Sequence, residues 1–207
     1  MRKIIVMALV AVCSVSLFAE TPEVKRFVPV DALVEHGIKE VTNPGEGVYY
    51  TPNDTRTWDI GVIYTKNTKY AIECLQYQKE DGIRYKNYGV YKDVNIEYLV
   101  GQINGGLNRY FKRQIRVQSV PEKSDMVKYY VYVDLLIDLN GRSGAISTLT
   151  VNLYFVNKNN ELLGKLTTWG EGLVGFPATE VGVMKAARDL GYNMDVFLEG
   201  GLDFCKP

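Results

Sequence analysis

Side chains able to do chemistry are few in this 207-residue chain, and their spacing suits none of the common mechanisms. His36 is the single histidine, so a Ser-His-Asp or Cys-His arrangement would have to run through it. It stands in a weakly patterned segment, and the expectation is a solvated surface histidine. No Cys-x-x-Cys or His-x-x-x-His spacing occurs, which leaves a metal site without its usual ligands. Asp134 and Asp138 share one face of an alternating segment, yet four residues at strand rise put them roughly 13 Å apart. That exceeds either carboxylate spacing of a glycosidase, and the pair reads as charge solvating the outer face of a sheet.

Gly170, Gly172 and Gly175 spell G-x-G-x-x-G between a predicted strand and a predicted helix, the context of a dinucleotide fingerprint. In a Rossmann unit the helix leads on to a second parallel strand that carries an acidic residue for the ribose. Here it leads to Gly200 through Pro207, Pro177 separates the glycines from the helix start, and the preceding segments alternate as antiparallel strands. The stretch reads as a flexible connection, and no cofactor is expected.

The strongest pattern in the chain runs from Met126 to Gly170. Val127, Tyr129, Val131, Val133, Leu135 and Ile137 fall on one face of a strand, with Lys128, Tyr130, Tyr132, Asp134, Leu136 and Asp138 opposite. After the turn signals Asn140-Gly141 and Gly144, Leu149, Val151, Leu153 and Phe155 alternate with Thr148, Thr150, Asn152 and Tyr154. A second turn cluster, Asn157 to Asn160, precedes a third run through Leu162, Gly164 and Leu166 to Trp169. This is an antiparallel meander with one face committed to a core.

Upstream, Trp58 to Tyr64, Tyr70 to Gln78 and Gly82 to Tyr91 read as strands, and Gln114 to Val120 as a short one. Asn95 can cap a helix in which Ile96, Leu99, Val100, Ile103, Leu107, Tyr110 and Phe111 recur at helical spacing. Gly101, Gly105 and Gly106 each weaken it by up to about 1 kcal/mol relative to Ala, so packing, through close approach to the sheet, must compensate. Val183, Ala187, Leu190, Met194 and Phe197 form a second helical stripe that ends at Gly200-Gly201. The fold class is α+β: a two-layer sandwich, mainly an antiparallel sheet with two amphipathic helices packed on one face.

Residues 1–19 differ in kind. Arg2 and Lys3 precede the apolar run Ile4 to Val12, and Leu17-Phe18-Ala19 supplies a cleavage site, the pattern of a bacterial secretory signal. Val12 before Cys13 is a poor lipidation context, so a soluble periplasmic protein is expected, with no membrane span after cleavage. Residues 20–57 read as an irregular extension holding one short helix, and residues 58–207 as the α+β domain. Without the signal the chain has 22 basic against 24 acidic residues, a formal charge of −2. With no Lys/Arg run it has no electrostatic footprint for nucleic acid. Export puts Cys74 and Cys205 in an oxidising compartment. A bridge between them, 131 residues apart, would be worth roughly 4 to 5 kcal/mol in the chain-entropy model. The alternative is a buried Cys74 in a strand and a loose Cys205 in the tail.

The order of elements resembles a broad group of bacterial envelope proteins. It rests on a helix ending Asn108-Arg109-Tyr110-Phe111, strands at Ile115 to Val120, Tyr129 to Asp138 and Leu149 to Val156, and the closing run Leu162 to Gly170. The group has the fold of the TolB amino-terminal domain and the CsgG periplasmic domain, and penicillin-binding-protein activator lipoproteins are another branch. The resemblance implies a non-enzymatic accessory protein that binds other envelope components. Two departures are that many members are lipoproteins, and that Glu20 to Thr57 has no counterpart.

The outer sheet face gives that expectation a location. Tyr130, Tyr132 and Tyr154 stand there among short polar residues, with Leu163, Lys165, Thr167 and Trp169 in the matching register. Such a mixture serves contact with an envelope protein partner or, as an alternative, a glycan or small molecule, because rings offer large area at small entropic cost. Against both stands a third reading, in which the amino-terminal extension folds over this face and buries the rings. An open strand edge also admits a homo-oligomer.

Overall fold

The computed structural model describes residues 28–40, 56–84, 96–120, 127–139, 146–171 and 178–199. In chain order the elements are α1 (Ala32–His36), β1 (Asp59–Tyr64), α2 (Lys66–Arg84), α3 (Ile96–Tyr110), β2 (Arg113–Arg116), β3 (Val127–Leu139), β4 (Ile146–Asn157), β5 (Leu162–Glu171) and α4 (Ala178–Glu199). The expected signal segment, residues 1–19, lies outside the described residues.

The strands form one sheet in the order β2-β1-β3-β4-β5. β3, β4 and β5 are the expected antiparallel meander. β1, however, runs parallel to both β2 and β3, so the sheet is mixed. Parallel neighbours need a crossover connection, and α2 and α3 supply it between β1 and β2.

The expected α+β two-layer sandwich is what forms, with three long helices instead of two on the covered face. The strand expected at Tyr70 to Gln78 is part of α2, as are residues 82–84 of the one expected at Gly82 to Tyr91; residues 85–91 lie outside the described set. The helical stripe of α2 is hard to see because its buried positions among the described side chains are Asn67, Thr68, Ala71 and Leu75, two of them polar and one small. From α3, Leu99, Ile103 and Leu107 join the core under the sheet, and from α4, Ala187, Leu190 and Met194 do so. Facing them are Ile60 and Val62 of β1, Tyr129 to Leu135 on alternate positions of β3, and Leu149 to Phe155 on alternate positions of β4. No described helix is long and apolar enough to cross a membrane.

Three register shifts interrupt the sheet, one of them at the end of β3 between Asp138 and Leu139, and the other two change which face a side chain takes. The register shifts at the start of β3, between the partners of Asp59 and Ile60, and sends Val127 to the outer face beside Tyr130 and Tyr132. A second shift between Phe155 and Val156 puts Leu162 on the outer face and turns Leu163 toward the helices. A bulged residue is unpaired, so every side chain beyond it changes face. The expected places of Val127 and Leu163 are therefore exchanged.

Gly61 shows the tightest approach in the sheet. It pairs with Tyr130 across β1 and β3, and a Cβ there would lie 2.2 Å from Cδ1 of the buried Tyr130 ring. In α3, Gly106 is the glycine that allows contact, with Met194 of α4 rather than with the sheet, while Gly101 and Gly105 have open space beside them. The two kinds of glycine predict opposite signs. Gly61→Ala must displace a fully enclosed ring and should cost about 1–3 kcal/mol. Gly101→Ala meets nothing and should gain up to about 1 kcal/mol from helix propensity. Urea midpoints of the two variants against the parent test both.

Candidate functional site

The polar centre of the molecule lies on the outer sheet face, where the start of α2 meets β3. β1 ends at Tyr64, and Thr65 caps the helix: its Oγ1 accepts from Thr68 N at 3.2 Å, satisfying one of the free N–H groups of the first turn. Thr68 then takes the place that a longer β1 would have filled. Its hydroxyl donates to Val133 O at 2.6 Å and accepts from Leu135 N at 2.9 Å, so the exposed ladder of β3 is completed by a side chain.

Asp134 is the residue this arrangement surrounds. Only 2% exposed, it accepts from Thr65 Oγ1 and Asn67 Nδ2, both at 2.8 Å, and from Asn152 Nδ2 at 3.4 Å. Asn152 in turn accepts from Thr167 Oγ1 at 2.8 Å. Asp134, Asn152 and Thr167 are cross-strand partners on β3, β4 and β5, so the bonds run along one rung of the sheet. The expectation of a solvated Asp134 is thus corrected: burying a carboxylate demands hydrogen-bond donors, and the start of α2 brings them. The side chain of Asp138 lies outside the described set.

Residues 28–40 form a strap across the rung next to this one. Asn67 holds it by a reciprocal pair, Nδ2 to Val30 O at 2.7 Å and Val30 N to Oδ1 at 3.0 Å. Asp31 caps α1 through Leu33 N, and Gly37 closes it at φ +59°, a conformation that glycine adopts without penalty. Asn160 Nδ2 donates to His36 O at 2.7 Å and Gly37 O at 3.0 Å. Lys39 bridges to Glu161, adding one parallel rung at the start of β5.

Beneath the strap, Ala32 and Ile38 pack with Ile63, Tyr130, Tyr132, Tyr154 and Val156, while Val117 and Val120 close the side next to β2. The expectation of an open aromatic face is therefore corrected for Tyr130, Tyr132 and Tyr154, which are buried, and the cover reading describes them. Burial pushes the Tyr132 and Tyr154 phenols up to about 12. His36 is likewise no solvated residue. Its side chain is 16% exposed, and its ring sits 4.6 Å from that of Tyr132, tilted by 34°. Burial lowers the affinity of its imidazole for a proton, against the pull of Glu35 and Asp134 and with the push of Lys66 and Lys69.

Trp169 is the sequence-predicted contact residue that stays open. It is 53% exposed on β5, the edge strand, with Lys185 Nζ 5.1 Å from its ring centre. Three outer rungs follow one another: Tyr132, Tyr154 and Lys165; Asp134, Asn152 and Thr167; Leu136, Thr150 and Trp169. The strap covers the tyrosines of the first, the second is the polar rung, and the third is partly open to solvent. Cys74 stands half-buried in α2 as a free thiol, not in a strand, and burial pushes its pKa up; Cys205, the other half of the expected bridge, lies outside the described residues. So do Gly172 and Gly175 of the glycine motif. Among the described residues no group of three or more His, Cys, Asp or Glu is placed to hold a metal ion.

Compared with family models and with curated proteins, the chain matches none. Among solved structures it has a slight likeness to the crystal structure of a Xanthomonas campestris protein of the DUF330 family model. The two are 8% identical with a TM-score of 0.30, over 80% of this chain and 92% of that one. A likeness at that level carries no argument about fold or function.

The network predicts an ordered mutational series. Asp134→Ala strands the donors of Thr65, Asn67 and Asn152 inside the protein, and each buried group left unpaired costs about 1–3 kcal/mol. Asp134→Asn keeps an acceptor for Thr65 and Asn67 and should fall between Asp134→Ala and the parent. Urea denaturation of the three proteins gives the ranking; equal midpoints would show the network to be energetically idle.

Proposed function

We propose that this is an exported, non-enzymatic accessory protein of the bacterial cell envelope, which acts by binding another envelope protein along the edge strand β5 with Trp169 as the anchor. One observation carries the reading. The chain covers three of the four aromatic residues of its outer sheet face and leaves Trp169 more than half exposed on an edge strand of ten residues. An edge strand offers unpaired N–H and C=O groups to an incoming segment, and a tryptophan beside it supplies the area that dominates such contacts. Among the described residues, the partner of β5 on that edge is the single bridge from Lys39 at Glu161, which leaves the stretch next to Trp169 unpaired.

Export is supported by Arg2, Lys3, the apolar run Ile4 to Val12 and Leu17-Phe18-Ala19. The resemblance of the element order to TolB-type and CsgG-type domains points to the same compartment and kind of work. A glycan or small-molecule module on the aromatic face is the weaker reading, since Tyr130, Tyr132 and Tyr154 lie under the strap.

A photoreactive amino acid at position 169, in cells that make the protein, should yield one defined adduct with an envelope protein. The same probe at position 132 should react within its own chain. With a probe at Lys165, Trp169→Ala should remove the adduct while shifting stability by no more than about 0.5 kcal/mol, the usual range for a surface change. Reaction at 132 with a second protein but none at 169 would move the contact off β5.

A further inference from the structure

We propose that residues 28–40 are a pH-responsive strap, which stays closed over the tyrosine face at neutral pH and lifts from it on acidification, with His36 as the residue that takes up the proton. The inference is independent of the partner proposed for β5.

The strap cannot hold its shape alone. A helix of five residues is far below the length that is stable in water, so its order comes from what it touches. Those contacts are few: Ala32, Leu33 and Ile38 on the tyrosine cluster, His36 on Tyr132, Val30 on Asn67, Glu35 near Lys66, the two carbonyls taken by Asn160, and the rung at Lys39. Its outward side chains, Val28 and Val34, are exposed and contribute little. A modest change under the strap therefore decides whether it stays down.

His36 is the strap side chain placed to make that change. As a neutral imidazole it packs against Tyr132, the ring centres 4.6 Å apart and the planes tilted by 34°. Its Nε2 is buried without a hydrogen-bond partner, and the nearest carboxylate oxygen, Glu35 Oε2, lies 3.7 Å away, beyond hydrogen-bond reach. A proton on the ring would thus create a buried cation whose one facing acceptor, Glu35 Oε2, sits on the strap's own helix and gives it no hold on the sheet beneath.

The charged groups around His36 divide. Glu35 on its own helix and Asp134 on β3 favour the cation, while Lys66 and Lys69 of α2 oppose it. Neither carboxylate fastens a protonated ring to the sheet: Glu35 belongs to the strap itself, with its Oε2 unpartnered beside His36. Lys66 Nζ already lies 3.5 Å from Glu35 Oε1, and Asp134 is occupied by Thr65, Asn67 and Asn152. The phenol of Tyr132 is committed to Asn160 Oδ1 at 3.0 Å. Burial therefore sets the balance, and the proton binds more weakly with the strap closed than with it open.

The sign follows by linkage. With the strap open, His36 is solvated and titrates near its ordinary value of 6.5; with it closed, it titrates lower. The open form binds the extra proton, so closure is fully favoured above about 6.5 and weakens as pH falls toward the closed-state value. Within that window the ratio of open to closed rises up to about tenfold per pH unit, the limit for one proton.

The test is hydrogen exchange of the whole chain at pH 7.5 and pH 5.0, corrected for intrinsic rates and read by peptide. Residues 28–40 should lose protection at the lower pH while the β3-β4 ladder keeps it. In His36→Phe, which retains a ring on Tyr132 and cannot ionise, the strap should be equally protected at both values. Equal protection of 28–40 in the parent at the two pH values overturns the proposal, and so does the same loss in His36→Phe. A second readout needs no variant: the chain has one histidine, hence one imidazole C2–H resonance to titrate by NMR. Its midpoint should lie below 6.5, and a midpoint above that value means that protonation tightens the strap, which also overturns the idea.

Discussion

A buried carboxylate, Asp134, sets the constraints that the rest of the outer face obeys. Its cost out of water is met by Thr65, Asn67 and Asn152, and each of these also has a second task. Thr65 caps α2, Asn67 grips the strap through Val30, and Asn152 passes the chain of bonds to Thr167 on the edge strand. The end of β1, the first residue of α2 and the line along which the strap lies are thus fixed together. Shifting any one of them would leave a donor or the carboxylate unpaired, and that penalty gives the arrangement a single register.

The two faces of the sheet solve different problems. On the helix side, apolar residues at every second position, mostly aliphatic with Tyr129 and Phe155 among them, meet three helices, and close packing suffices. On the other side the rings of Tyr130, Tyr132 and Tyr154 are covered by short segments, so space and hydroxyl groups must both be provided for. Gly61 gives Tyr130 room to lie across β1. The hydroxyl of Tyr132 reaches Asn160, whose own amide holds the strap carbonyls, so one turn residue joins ring and strap. Asn160 adopts φ +61° to do so, within the left-handed region that asparagine tolerates better than most residues.

The sequence made some of this legible and hid the rest for physical reasons. The meander was visible because β3 and β4 are long and face one apolar layer, so hydrophobicity alternates without interruption. α4 was visible because Ala187, Leu190 and Met194 keep a helical stripe. α2 was hidden because Asn67 is buried to serve Asp134 and Thr68 to serve the backbone of β3, which erased the apolar period. The bulges were invisible, since an unpaired residue leaves no mark on composition. Asp134 and His36 read as surface residues because charge is the usual guide to exposure; burial by α2 and by the strap depends on segments about 70 and 100 residues away in sequence.

Trp169 stays open for a reason that lies in the same network. The strap ends over the first outer rung because its polar anchor is Asn67, which also serves the second rung through Asp134. Along that second rung Asn152 gives its amide to Asp134 and its oxygen to Thr167, so the bonds run sideways within the sheet. A cover extended toward Leu136, Thr150 and Trp169 would have to cross this rung and compete for groups already engaged. The polar rung therefore acts as a boundary, with aromatic residues before it serving as core and the tryptophan beyond it left to solvent. Composition assigns all four rings one role; the position of a single carboxylate divides them.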